Sequence, residues 1–400
     1  MREIVVLGCG FAGFHAARKL EEGLAGRRRV RLTIVSRDSN FLFSPLLPSV
    51  ASGELEANHL LTALSDSFSP RTQILIDTIE TIDLKGRRLI SSTREIPFDY
   101  LLIATGGTRN PGVFEGASDL RGPDHLEDAV AISHLLDELL PHKEAPLRFA
   151  IVGGSATGVE WAAELASSLA TEHRLAAHGE SLQIDLFESG PRLLPDHSEE
   201  FSRLATSYLQ ELGISVHQGI DVEAATPESL TLPEEAPLPY DQVFHCAGRI
   251  GVPLQIVGKL KLDAEGRILI TDELRAREIP GVFVAGDAAS PLTGLPRSSN
   301  PQIALQQGER AAKNLLADMT GRKKRPFHYE DRGVFLTLGR TNSALELRGV
   351  VLEGKPAWLA YRLYYTALMP RAFQKARLMM DWVAGRVAAT DPEVPALPEE

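Results

Sequence analysis

Two apolar runs open onto glycine-rich turns, and the same pattern follows each of them. Ile4-Val5-Val6-Leu7 reads as a buried strand, Gly8-Cys9-Gly10-Phe11-Ala12-Gly13 as a tight turn, and the next stretch has helical spacing. Phe149-Ala150-Ile151-Val152, Gly153-Gly154-Ser155-Ala156-Thr157-Gly158 and a helical stretch through Ala163 and Leu165 repeat that order. A second strand follows in each copy, Arg31 to Val35 and then Leu182 to Phe187. Further along, Ile96-Pro97-Phe98-Asp99-Tyr100 through Gly106 is echoed by Leu238-Pro239-Tyr240-Asp241 through Gly248. Strands separated by helices predict an α/β fold with parallel sheets covered on both faces, built twice.

Each turn has the setting that phosphate chemistry needs. A strand before it and a helix after it let backbone N–H groups and a helix N-terminus face a pyrophosphate. The same turn could merely join strand to helix, but two copies in matching context favour two dinucleotide sites. The residue closing the second strand then separates the copies. In the second it is Glu188, whose carboxylate would accept bonds from ribose hydroxyls and repel a 2′-phosphate, favouring NADH over NADPH; the plainer alternative is a solvated surface glutamate. In the first it is Ser36, followed by Arg37, a weaker ribose partner. Ser155 stands where the second loop would otherwise carry its close-approach glycine. Ile279 to Ala288 reads as a strand ending in Gly286-Asp287, which sets a carboxylate at a strand's C-terminal edge or caps the next segment.

Composition narrows the partners. The 400 residues are 44% hydrophobic and 24% charged, ordinary values for globular domains. A net charge of −11 argues against a nucleic-acid partner. Cys9 and Cys246 are the only cysteines, too few and too far apart for a disulfide framework, a CxxC redox pair or a four-cysteine zinc site. No metal centre is expected. No run approaches the roughly 18 consecutive apolar residues of a membrane-spanning helix, and Ile4 to Ala17 reads as a first strand and turn rather than a secretion signal.

With Phe43-Ser44-Pro45-Leu46-Leu47, Thr157-Gly158-Val159-Glu160, Gln302-Ile303-Ala304-Leu305-Gln306-Gln307-Gly308, Gly354-Lys355-Pro356-Ala357-Trp358 and Asp381-Trp382, the chain resembles the two-dinucleotide flavoprotein oxidoreductases, and within them the type II NADH dehydrogenases (NADH:quinone oxidoreductases), from about residue 3 to about residue 385. The resemblance implies two Rossmann-like domains, an FAD domain with an inserted NADH domain, followed by a helical C-terminal segment on a membrane surface. The boundaries expected are 1–115 with 250–325 for FAD, 116–249 for NADH, 326–390 for membrane contact or dimerisation, and a mobile tail over 391–400. It further implies that Gly8, Gly10, Phe11, Ala12 and Gly13 face the FAD pyrophosphate, with Ser36 and Arg37 near the adenosine. Pro45, Ile79, Thr105, Gly106, Gly286 and Asp287 would line the same cofactor, Asp287 holding the ribityl chain. Gly153, Gly154, Ser155, Gly158 and Gly248 would line the NADH site, with Glu188 at the ribose. Glu160 would sit near the contact of nicotinamide and flavin, and Gln302 and Gln306 near the quinone; a plain helix-start carboxylate is the alternative for Glu160. Pro301 departs from the family, which usually has alanine there.

The activity implied is hydride transfer from NADH to FAD and two electrons onward to a quinone, without proton pumping. The alternatives are a reductase of the same fold with another acceptor and a slow redox sensor. Residues 354–388 carry Lys355, Arg362, Arg371, Lys375, Arg377 and Arg386 against Asp381 alone, with Trp358, Trp382, Tyr361, Tyr364 and Tyr365 among them. Pro370 divides them into two expected helices, and Phe373, Ala376, Met380 and Val383 fall on one stripe. Such a stripe packs on a domain or across a homodimer, or lies on the cytoplasmic face of a membrane; a lipid-soluble quinone favours the membrane.

Overall fold

A computed structural model describes residues 1–139, 146–169, 183–290 and 300–384. Arg386 and the tail expected to be mobile lie outside the described residues. The chain forms two compact units. The first comprises Met1–Leu42, Thr62–Thr108 and Arg249–Glu330; the second comprises Phe43–Leu61, Arg109–Gly248 and Asp331–Glu400.

In the first unit the strands Val282–Val284, Tyr100–Ile103, Arg2–Leu7, Val30–Ser36 and Thr72–Ile76 lie side by side in that order, all parallel. Ile4, Val6, Leu101, Leu102, Ile103 and Ile34 are fully buried, as a sheet covered on both faces requires. The helices Phe11–Gly23 and Pro301–Met319 pack closely, because Gly308 brings its backbone against that of Ala12. Phe14 is buried in the same layer, its ring stacked 4.6 Å from that of Phe41.

The second unit repeats the plan with four parallel strands, Ser215–Gln218, Gln183–Glu188, Arg148–Val152 and Gln242–His245. The helix Ala156–Leu169 follows its glycine turn. This unit also holds an antiparallel sheet of Val334–Thr337, Ser343–Leu347 and Val350–Glu353, then the helices Gly354–Leu368 and Ala372–Ala384. The break expected at Pro370 falls between those two helices. The segment Phe43–Leu61 groups with this unit although it follows the second strand of the first copy in sequence.

Candidate functional site: two glycine loops and their neighbours

In the first unit Gly8 has φ of +93°, and a Cβ there would lie 2.3 Å from the Ala104 carbonyl oxygen, so only glycine fits. Gly13 is required for closeness alone, since its Cβ would stand 1.9 Å from the Gly8 oxygen. The turn is tied to both flanking strands: the Gly8 N–H donates to the Val35 carbonyl (2.8 Å), and the Ala104 N–H to that of Leu7 (2.7 Å). Gly10 caps the helix with no side-chain bond, and a Cβ there would find nothing within 4 Å. An open, side-chain-free helix N-terminus beside a tight turn suits a pyrophosphate. Phe11 and Ala12 form the first turn of the helix, Ala12 buried and Phe11 with its ring 5.2 Å from Phe41.

The other residues expected at this site line the same strand ends. Ser36 is buried at the close of its strand and its carbonyl accepts the Asp77 N–H at 2.9 Å, two residues before buried Ile79; Arg37 is exposed. Thr105 and Gly106 are half-buried beyond the Tyr100–Ile103 strand, Gly106 with φ of +74°. A Cβ on Gly286 would come within 3.0 Å of the Ala12 side chain, and Asp287 lies 3.3 Å from the Arg249 guanidinium. Gly8, Gly13, Ala12, Gly286 and Asp287 thus converge at one end of one sheet, and their open cradle fits a dinucleotide such as FAD.

Gln302 and Gln306 lie on the Pro301–Met319 helix. Pro301 occupies its first position, where proline's missing N–H has no helical partner in any case, and the Asn300 side chain accepts the Gln302 N–H at 2.8 Å. Gln302 is buried. The Gln306 amide is engaged at both ends with the Glu330 backbone, at 2.9 Å each way, so here it fastens the following segment. Sequence reasoning missed Gln307: fully buried, its Oε1 accepts the Gly286 N–H at 2.8 Å and holds the Gly286–Asp287 turn. Its Nε2 is buried without a hydrogen-bond partner among the described residues. The available signal was the stripe Ala304, Gln307, Gly308, Ala311 and Leu315, which sets the inward face of that helix.

The second unit builds an equivalent turn. Gly153 has φ of +117°, and a Cβ on Gly158 would stand 1.9 Å from the Gly153 oxygen. The Gly153 N–H donates to Phe187 and the Cys246 N–H to Val152, each at 2.8 Å. Glu188 turns back onto the loop, its two oxygens accepting the Gly154 and Gly190 N–H groups at 2.7 Å each. Ser155 is exposed, and Gly248 closes the second copy with φ of +61° beside Asn110. This cradle, with a carboxylate fixed against its loop, fits NADH. Pro45 lies in the short turn Ser44–Leu46, also within the second unit.

Glu160 stands two residues past the last loop glycine, and its Oε1 accepts the Thr337 N–H at 3.1 Å. Burial pushes its carboxyl up to about 8, against the hydrogen bond from Thr337, with the neighbouring Glu164 adding to the rise. Cys9 is buried, and burial raises both thiols well above the ordinary cysteine range, so neither is a ready nucleophile. Among the described residues no group of acidic, histidine and cysteine side chains could hold a metal.

On the C-terminal helices Leu359, Leu363, Phe373, Met379, Met380 and Val383 are exposed, Val383 at 87%. The stripe of Phe373, Ala376, Met380 and Val383 faces outward, while Gln374, Leu378 and Asp381 face in. Among the described residues no helix is long and apolar enough to cross a membrane.

Residues 2–308 match the family model described as pyridine nucleotide-disulphide oxidoreductase. The chain is 27% identical over 417 residues to the type II NADH:quinone oxidoreductase Ndh of Mycobacterium tuberculosis, covering 95% of this chain and 87% of that protein. It is 28% identical over 394 residues to the demethylphylloquinone reductase NdbB of Synechocystis, covering 95% of each. Among solved structures, NDH2 of Plasmodium falciparum in complex with NADH superposes with a TM-score of 0.81 at 18% identity, covering 96% of this chain and 99% of that one. The sulfide:quinone oxidoreductase of Aquifex aeolicus superposes with a TM-score of 0.77 at 18% identity, covering 98% and 93%.

Proposed function

The chain belongs to the pyridine nucleotide-disulphide oxidoreductase family, and from that premise we propose that it is a type II NADH dehydrogenase, an enzyme that uses FAD and NADH and reduces a quinone. Electrons pass from NADH to the quinone without proton pumping, and the enzyme works from the cytoplasmic face of a membrane. The observation that carries this reading is the second loop, where Glu188 is fixed against Gly154 and Glu160 follows the last glycine, its carboxyl raised by burial.

FAD, when bound, supplies the two-electron chemistry. The chain's own groups bind and orient. Gly8, Gly10 and Gly13 admit a pyrophosphate, Asp287 meets the ribityl hydroxyls, Glu188 selects the unphosphorylated ribose, and Glu160 holds a proton. Gln302 faces the quinone, and Gln306 shapes that wall through Glu330. The likeness to a sulfide:quinone oxidoreductase extends to the fold alone, because the thiols of Cys9 and Cys246 are held protonated by burial.

The deciding experiment is steady-state NADH oxidation on protein whose flavin has been quantified. NADH consumption is expected to depend on an added soluble quinone and to ignore a ferredoxin-type acceptor. A colourless protein that cannot be reconstituted with FAD, or a rate indifferent to quinone, would overturn the proposal. The outward apolar stripe supports the membrane part: Leu363→Ser, Phe373→Ser and Val383→Ser together should release folded, flavin-loaded protein from anionic liposomes. Retention of that triple variant on the vesicles would exclude this face as the anchor.

A further inference from the structure

A second carboxylate lies behind Glu160 that nucleotide binding does not require. Glu164 is one helical turn further along Ala156–Leu169 and only 2% exposed. Thr337 holds both acids: its N–H donates to Glu160, and its hydroxyl donates to Glu164 Oε1 at 2.8 Å. Glu164 Oε2 and the Tyr361 hydroxyl are buried with no hydrogen-bond partner among the described residues.

The groups facing Glu164 come from several elements of the second unit. Glu54 approaches from the Phe43–Leu61 segment, Arg340 follows the Val334–Thr337 strand, and Tyr361 and Arg362 come from the Gly354–Leu368 helix, whose Tyr365 faces Glu160. Glu54 pairs with Arg362 at 2.5 Å, and Arg362 lies 3.9 Å from the Trp358 ring and 5.0 Å from that of Trp382. Asp381, from the last helix, acts on Glu54 through its charge and lies 2.5 Å from His59 Nδ1. His59 Nε2 is 3.3 Å from Glu56, whose side chain is 35% exposed.

Buried carboxylates that act on one another through their charge cannot all ionise. Burial first, then the charge of Glu54, pushes Glu164 up to about 8, and burial also raises Glu54 despite Arg362. Quinone reduction consumes a proton: NADH, a quinone and one H+ give NAD+ and the quinol. The hydride brings two electrons and one hydrogen, and the second hydrogen enters from water as H+. We propose that Glu164 is the proton-holding residue behind Glu160, and that Glu54 and the His59–Asp381 pair resupply it from the surface at Glu56 as the route of proton uptake. This rests on the function proposed above. Thr337 and Arg362 are positioning residues in it, the first aligning the two acids and the second pairing with Glu54 to hold it in place.

The test uses the FAD-loaded enzyme and a soluble quinone. Glu164→Gln, which keeps the shape and cannot exchange a proton, should slow quinone turnover at least about tenfold and slow flavin bleaching by NADH far less. It should also flatten the fall of kcat above pH 8 and enlarge the solvent deuterium isotope effect. Independently of turnover, the infrared band of protonated carboxyls at neutral pH should shrink in Glu164→Gln. His59→Gln, at the outer end, should enlarge the isotope effect without moving that band, and it decides the matter if Glu164→Gln loses its flavin. Wild-type turnover, pH profile and isotope effect in both variants would overturn the route while leaving the proposed function standing. If the wild-type enzyme binds FAD and is bleached by NADH yet ignores quinones, the function falls instead, and the infrared band still reports whether Glu164 holds a proton.

Discussion

The two glycine loops agree in backbone and differ in what closes them. In each, the third glycine would place a Cβ 1.9 Å from the oxygen of the first. In each, the first glycine's N–H reaches the neighbouring strand at 2.8 Å. The differences come in pairs. Where the second copy has Gly154, the Glu188 carboxylate folds back to take its N–H; a Cβ on Gly154 would come within 2.9 Å of that carboxylate. Where the first copy has Cys9, a buried side chain occupies the corresponding position, and its strand ends in the short Ser36. A small residue in the turn thus goes with a long acid at the strand end, and a larger residue with a short one. The copies differ in that pair, while the frame set by the first and last glycines is common to both.

The largest effect expected comes from breaking the frame. Gly13→Ala and Gly158→Ala each force a methyl onto a carbonyl, costing about 1–3 kcal/mol in overpacking and opening the turn. Gly13→Ala should yield protein depleted of flavin. Gly158→Ala should keep its flavin and lose NADH affinity, measured as KM in steady state. Equal flavin loss in the two variants would mean that the copies do not divide the cofactors as proposed.

Next in size is the pair itself. Glu188→Ala removes a charged acceptor worth about 1.5–3 kcal/mol, so KM for NADH should rise roughly ten- to a hundredfold while that for NADPH changes little. The double variant Gly154→Cys, Glu188→Ser imports the first copy's pair. With the buried Leu193 side chain, 2.5 Å from the new Cβ, shifting to admit it, the variant should lose the preference for NADH and show it in the ratio of kcat/KM for the two nucleotides. An undiminished preference in either variant would show that Glu188 does not meet the ribose.

Much of this was readable without coordinates, because strands, glycine turns and strand-end acids are local in sequence. The two parallel sheets and the closeness of Gly8, Gly13 and Asp287 follow from motifs a few residues long. What escaped was non-local. Phe43–Leu61 reads as an ordinary connection, yet its contacts lie with the second unit, and only there does Glu54 meet Arg362 across 308 residues of chain. Gln307 escaped because adjacent glutamines differ only in helix phase, which the Gly308–Ala12 contact sets. Glu164 looks like any helical acid until Thr337 and Tyr361 close over it. The cluster emerges only from tertiary packing.

The copies also differ in how they respond to pH. Two residues past the third glycine the first has His15 and the second Glu160, and burial drives both toward the neutral form: His15 falls from 6.5 to about 4, and Glu160 rises from 4.5 to about 8. Above about 6.5 His15 is neutral folded or unfolded. As pH drops from there toward 4 the unfolded chain takes a proton that the folded one refuses, so the first unit loses stability in acid. Glu160 and Glu164 act in reverse: from about 4.5 up to 8 the unfolded chain gives up protons that the folded one keeps, so the second unit loses stability as pH rises. Thermal unfolding of His15→Gln should have a flatter acid limb and that of Glu164→Gln a flatter alkaline one. A common slope change in both variants would deny the assignment to separate units.

The smallest effect expected tests the one loop position where the copies differ without visible cost. A Cβ on Gly10 would meet nothing within 4 Å, and Ser155, at the matching place in the second loop, is exposed. Neither copy therefore needs glycine there for its own fold; the demand comes from the ligand's approach. The Ser155 hydroxyl can donate to a phosphate oxygen, and one such bond is worth about 0.5–1.5 kcal/mol. Ser155→Gly should raise KM for NADH by a few-fold and leave flavin content and melting temperature alone. Gly10→Ser should leave the melting temperature of flavin-free protein unchanged and weaken FAD binding, because a flavin that stays bound through turnover requires the closer backbone approach. If Ser155→Gly instead tightens NADH, the serine crowds the pyrophosphate, and the second loop has given up affinity for faster exchange of its nucleotide.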